Sequence, residues 1–171
     1  MTKYNIKHSH ISFTNIANEL YNMNNLYNVS EVKLTYESNS TGKRKMKVST
    51  SATAYALMLK SWEQIEYRET FKILLLDVSK HVLGINIVSM GGISGTAVDV
   101  RMILQGALLA NASLIVACHN HPSGNIRPSY EDDVMTMKIR EAANIVEIKL
   151  FDHLIITKDG FYSYKDAGRL V

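Results

Sequence analysis

The string His119-Asn-His121, seven residues, then Ser129-Tyr-Glu-Asp132 limits what this chain can fold into more than any other stretch. Before it, Ser113-Leu-Ile-Val-Ala-Cys118 is an apolar, β-branched run of strand length. His119 and His121 therefore stand at a strand end, and being two residues apart they point to one face. Pro122-Ser-Gly-Asn-Ile-Arg-Pro128 holds both prolines of the chain and reads as a rigid loop. Ser129 is placed as a helix N-cap, with Tyr130 to Ala143 carrying Val134, Met135 and Met137 among charged residues at helical intervals. Strand end, loop and helix start then converge on two imidazoles and one carboxylate. Three protein ligands leave a tetrahedral zinc one position for water, the pattern of a catalytic rather than a structural metal site.

Each part alone has a plainer reading. Ser129-x-x-Asp132 is a capping arrangement, a histidine in a loop is commonly a surface residue, and Asn-His-Pro makes a turn. Their joint spacing is what favours the metal site. Cys118 is the only cysteine, which excludes an internal disulfide and suits a reducing compartment. Its apolar neighbours place it in the core, with a nucleophilic thiol as the lesser reading. His153, beside Asp152 in a strand-like segment, reads either as support for the metal ligands or as a structural histidine. His8, His10 and His81 read as surface residues.

Composition sets the outer bounds. With 171 residues and 46% hydrophobic content, the chain can bury one good core. A net charge of +3 is far from that of a dedicated nucleic-acid binder. The one dense basic run, Lys43-Arg-Lys-Met-Lys47, follows a turn-like Ser38-Asn-Ser-Thr-Gly42 and reads as a solvated hairpin face or, alternatively, a phosphate-contacting one. No run has the length of a membrane span, and Met1-Thr-Lys-Tyr-Asn-Ile-Lys-His8 has no apolar stretch of signal-peptide type, so cytoplasmic residence is expected.

Along the chain, a short helix is expected within residues 1–28 and a strand over Val32-Tyr36. A helix follows over Ser49–Trp62, then strands over Phe71–Leu76 and Val82–Val88, a Gly91–Gly95 loop and a helix over about Val98–Ala110. Beyond the His119 strand and the Ser129 helix, short strands are expected at Val146–Phe151, Leu154–Thr157 and Phe161–Tyr164. Strands alternating with helices imply a layered α/β sandwich.

The string from His119 to Asp132 resembles the JAMM (MPN+) metalloprotease motif and, more narrowly, the RadC family of bacterial JAB-domain proteins. The likeness continues through Glu69-Thr-Phe-Lys-Ile-Leu-Leu-Leu-Asp77, Gly91-Gly-Ile-Ser-Gly-Thr96, Ala107-Leu-Leu-Ala-Asn-Ala112, Asp152-His-Leu-Ile-Ile156 and Phe161-Tyr-Ser-Tyr164, covering about residues 50–171. The helix-hairpin-helix region that opens longer RadC proteins has no counterpart in it. The resemblance implies an α/β JAB/MPN fold, cytidine-deaminase-like, with a mixed β-sheet flanked by helices. It divides the chain into an N-terminal extension, 1–48, and a catalytic domain, 49–171.

It also implies Zn2+ held by His119, His121 and Asp132, Glu69 as the general base on the metal's water, with Glu66 its nearby competitor, and Ser129 as an oxyanion donor. The function so implied is that of a zinc-dependent peptidase or isopeptidase acting on a protein or peptide, and no membrane partner is expected. The alternative is a non-enzymatic, DNA-associated module with a vestigial metal site. Nucleic acid as a partner has only the mild basic charge behind it. A zinc nucleobase deaminase shares the fold but needs Cys-x-x-Cys, which one cysteine cannot supply.

Overall fold

The computed structural model describes residues 46–92 and 96–170, with Asn18 and Thr35–Glu37. The chain divides into two units, Met1–Leu34 and Thr35–Val171, and every helix and strand from Ser51 onwards belongs to the second. The expected N-terminal helix, His8, His10, Lys43–Lys45 and most of the expected hairpin lie outside the described residues.

Thr50 caps the first helix, α1 (Ser51–Lys60), with Thr53 in a reciprocal capping box. Strands β1 (Thr70–Leu76) and β2 (Val82–Met90) form a hairpin around the Asp77–His81 turn. Asp99 caps α2 (Val100–Leu109), which leads to β3 (Leu114–Asn120). Then come α3 (Tyr130–Ile145), capped by Ser129, and the strands β4 (Lys149–Ile156) and β5 (Phe161–Ser163). The sheet order is β2-β1-β3-β4-β5, with β3 and β4 parallel and the other neighbours antiparallel. The sheet is mixed because α3 is a crossover, which a parallel pair requires.

Alternation along the strands divides the core into two layers. Phe71, Ile73 and Leu75 of β1, with Ile115 and Ala117 of β3, pack against Ile103 and Ala107 of α2 and Ile139 and Ala143 of α3. Leu74, Leu76, Val116 and Cys118 point the other way, against Ala54 and Met58 of α1. Val48 is fully buried in that second layer, and Lys47 bridges His81, so residues 46–48 are part of the fold.

Two expected strands, Val146–Phe151 and Leu154–Thr157, are one strand, β4. Val146 instead ends α3, and Glu147 takes a left-handed φ of 58° before the strand begins. Asp152 and His153 do not break the strand because their polar atoms are satisfied. The Asp152 carboxylate accepts from the His153 amide at 2.7 Å, the Ser163 hydroxyl at 2.7 Å and the Lys165 amide at 3.1 Å. A bulge in β4, where Leu150 pairs with Ile115 but Asp152 with Val116, reverses the alternation. Leu150 lies in the α2/α3 layer, whereas Leu154 and Ile156 lie in the α1 layer. His153 is thereby aimed at the α3 side, where His119 points.

Candidate metal centre and cleft

The centre forms where β3 ends and α3 begins. His119 Nε2 lies 3.1 Å from His121 Nε2 and 3.0 Å from Asp132 Oδ1, while His121 Nε2 lies 3.6 Å from Asp132 Oδ2. Zinc bonds of about 2.0–2.1 Å arranged tetrahedrally put ligand atoms roughly 3.3 Å apart, so this N,N,O set fits a divalent metal of that size. Among the described residues, His119, His121 and Asp132 form the one histidine, cysteine and carboxylate cluster of metal-binding geometry.

Asp132 is shared between two structures. Its Oδ2 accepts from the Ser129 amide at 2.8 Å and from the Ser129 hydroxyl at 2.7 Å, and the Asp132 amide donates back to Ser129 Oγ at 3.1 Å. The capping reading is thus realised, and the same α3 cap fixes the carboxylate that faces the two histidines. Burial pushes the Asp132 carboxyl up, but hydrogen bonds from His119 and His121 outweigh it and hold the group far below the usual carboxylate range.

The imidazoles are oriented from behind. His121 Nδ1 lies 2.6 Å from the Asn125 carbonyl, which can only accept, so Nδ1 carries a proton and Nε2 is the nitrogen turned to the cluster. Gly124, at a φ of 79°, turns the loop so that this carbonyl returns to the ring. His119 Nδ1 lies 2.9 Å from His153 Nε2, and His153 Nδ1 lies 2.6 Å from Thr136 Oγ1. His153 is fully buried, and burial followed by the charge on His119 holds its pKa well below the ordinary histidine value.

His119, His121 and Asp132 open onto a cleft of about 700 Å³ lined also by Glu69, Phe71, Thr96, Arg127 and Met135. Glu69 stands just before β1, its carbonyl accepting from the Gly91 amide at 2.9 Å. Burial raises its carboxyl above the ordinary range, the His119 and His121 charges opposing the shift only in part. Glu66 is exposed, pairs with Lys158 at 3.6 Å and is absent from the cleft wall. Of the glycine loop, Gly91 and Gly92 are described and Ile93–Gly95 are not, and Thr96 reaches the cleft.

The residue that sequence reading passed over is Asn120, between the two histidines. Alternation points it to the opposite side of the sheet, where it is fully buried. Its Oδ1 accepts from the Thr70 amide at 2.7 Å, and its Nδ2 donates to the Ile65 carbonyl at 2.6 Å and the Arg68 carbonyl at 2.9 Å. One side chain therefore ties the segment bearing Glu69 to the strand bearing the histidines. The available signal was a polar residue at a buried strand position, which must find partners. Thr136 was likewise missed. Cys118 is buried in the α1 layer, and burial pushes its thiol well above its ordinary pKa. His81 is a half-buried turn residue whose Nδ1 lies 3.2 Å from Asp77 Oδ2.

The likeness to known proteins lies mainly in the second unit. The chain is 39% identical over 122 residues to a UPF0758 protein of Flavobacterium johnsoniae, a match covering 71% of this chain and 53% of that one. A UPF0758 protein of Porphyromonas gingivalis is 41% identical over 104 residues, 60% of this chain and 46% of its own length. One from Thermotoga maritima is 35% identical over 103 residues, with the same coverage. The chain thus spans about half the length of the curated relatives it matches. Residues 48–169 match the family model described as the RadC-like JAB domain, and the match takes in both walls of the cleft, from Glu69 to His153. With its mixed sheet, its flanking helices and that match, the chain belongs to the RadC-like JAB domain family.

Proposed function

We propose that this chain is a zinc-dependent hydrolase of amide bonds, a peptidase or isopeptidase acting on a protein or peptide. The observation that carries the reading is the opening of His119, His121 and Asp132 onto a cleft whose wall also holds Glu69, a carboxyl with a raised proton affinity. When bound, zinc supplies Lewis acidity, which acidifies a water and polarises a carbonyl. Glu69 takes one proton from the attacking water as its oxygen adds to the carbonyl carbon. The same carboxyl then delivers that proton to the leaving nitrogen as the C–N bond breaks. A proton affinity above that of an exposed glutamate suits both halves of this transfer.

Ser129 lines the cleft, but its hydroxyl hydrogen is engaged by Asp132 Oδ2. To donate to a developing oxyanion, this hydroxyl rotates away from Asp132 while its lone pair keeps the α3 cap. Among the described residues no helix is long and apolar enough to cross a membrane.

The test is metal analysis of the purified protein combined with hydrolysis of a panel of peptides and ε-linked isopeptides. One zinc per chain with metal-dependent cleavage supports the reading. A protein that takes up no zinc overturns it, and one that takes up zinc but cleaves no member of the panel favours the non-enzymatic alternative.

A further inference from the structure

Behind His119 runs a chain of buried polar atoms that ends in backbone. Thr136 Oγ1 lies 2.6 Å from the Asp132 carbonyl oxygen, four residues earlier in α3. A carbonyl can only accept, so at this separation the single Thr136 hydroxyl proton lies between the two oxygens. Thr136 Oγ1 must then act as acceptor towards its other close partner, His153 Nδ1 at 2.6 Å. That puts the His153 proton on Nδ1 and leaves a lone pair on Nε2. His153 Nε2 in turn accepts from His119 Nδ1 at 2.9 Å, and with Nδ1 so committed, Nε2, beside His121 and Asp132, is the His119 nitrogen left to bind a cation. With every proton moved along in the opposite direction, His119 would present an N–H to the cluster and could bind no cation. The carbonyl at the far end decides between the two directions.

The rings have little freedom to escape this order. His153 stacks on Tyr164 with centroids 5.0 Å apart and planes 10° from parallel, and Phe71 stacks on His119 at 5.9 Å and 5°. Thr136 and His153 are both buried, at 3% and 0% exposure, so water does not substitute for a lost partner. The β4 bulge that turns His153 to this side of the sheet gives the relay a backbone origin as well.

We infer that Thr136 and His153 are positioning residues that fix the proton of His119 on Nδ1 through the Asp132 carbonyl, and so hold Nε2 ready as a metal ligand. The inference rests on the metal reading of His119, His121 and Asp132. Asp132 is thereby used twice, its carboxylate as a ligand and its carbonyl as the anchor that orients another ligand.

The experiment measures zinc affinity by competition with a chromophoric chelator for the wild type, Thr136→Val, Thr136→Ser and His153→Phe, with circular dichroism as a check on folding. Thr136→Val is nearly isosteric and leaves His153 Nδ1 without its acceptor, so affinity should fall about 10- to 100-fold, the usual effect of removing a partner behind a ligand. Thr136→Ser should restore it, and His153→Phe should weaken it at least as much as Thr136→Val. Nitrogen-15 NMR of the zinc-loaded wild type should find the His119 and His153 protons both on Nδ1. Wild-type affinity in folded Thr136→Val, or a proton on His153 Nε2, overturns the inference while leaving the metal site intact. Absence of zinc binding by the wild type overturns the metal reading, and this inference with it.

Discussion

The Asn120 carboxamide oxygen accepts the Thr70 amide at 2.7 Å, immediately beyond Glu69, while the neighbouring residues on either side of Asn120 are the two histidines of the cluster. One buried side chain, together with the Phe71–His119 pairing of β1 with β3, therefore ties the segment carrying Glu69, the proposed proton carrier, to the two histidines. Asn120→Ala leaves the Thr70 amide and the Ile65 and Arg68 carbonyls without that partner, at a cost of about 2–4 kcal/mol in folding free energy. Urea denaturation of the metal-free protein checks this. Zinc affinity should change little, since the histidines are held from the other face, and amide hydrolysis should fall as Glu69 loses its tether. Unaltered stability would show that Asn120 does not clamp the segment.

How much of this was legible in the sequence differs by element. The convergence of His119, His121 and Asp132 was readable because two-residue spacing on a strand and an N-cap on a helix are local rules that tertiary packing here reinforces. The tie from Asn120 to residues 65–70 was not, because it spans about fifty residues and is made to three backbone groups, which carry no sequence signature. His153 was ambiguous for a specific reason. Its direction depends on the β4 bulge, and counting residues from Leu150 in strict alternation puts His153 on the wrong face. The join between the two expected strands was missed because Asp152 resembles a strand breaker until Ser163 and Lys165 are seen to satisfy it.

Zinc should stabilise the fold by mass action, since the cluster joins the end of β3 to the start of α3 and exists only in the folded chain. At a free concentration a hundred times Kd, the gain is about 2.7 kcal/mol. For a domain of this size that corresponds to a rise in Tm of roughly 5–11 °C, removed by a chelator. The His119→Ala, His121→Ala double variant should melt at the same temperature with and without zinc. An equal rise in that variant would place the bound metal elsewhere.

Cys118 should be inert in the folded protein. Its thiol is fully buried on the α1 side of the sheet, away from the cleft, and burial followed by the nearby Asp152 carboxylate raises its pKa well above the ordinary value. Little thiolate forms near neutrality and reagents reach it only through opening of the fold. Reaction with a disulfide reagent at about pH 7.5 should therefore be slow without denaturant and complete within minutes in it. Fast native labelling would place the thiol at the surface.

On the proposed reading, Glu69 sets function against stability. Its folded-state pKa is raised, first by burial, so the folded protein holds this proton more tightly than the unfolded chain does. By linkage, its favourable contribution is fully present below the unfolded carboxyl value and is lost as pH rises through the raised one. At neutral pH the ionised group is then a cost to folding, one that the proposed proton-transfer role would account for. Glu69→Gln removes the charge, keeps the shape and touches none of the three ligands. The metal-free variant should be as stable as the wild type at pH 5 and at least as stable at pH 8, as followed by thermal melting at both values. It should keep wild-type zinc content, while hydrolysis of any cleavable peptide falls by about 10²- to 10⁴-fold, the range for a lost general acid-base group. Glu66→Gln, in contrast, alters an exposed residue paired with Lys158 outside the cleft and should leave the rate within about twofold of wild type, because surface ion pairs contribute little. Full activity in Glu69→Gln would remove this carboxyl from the chemistry, and loss of zinc in that variant would make it a fourth ligand instead of a proton carrier.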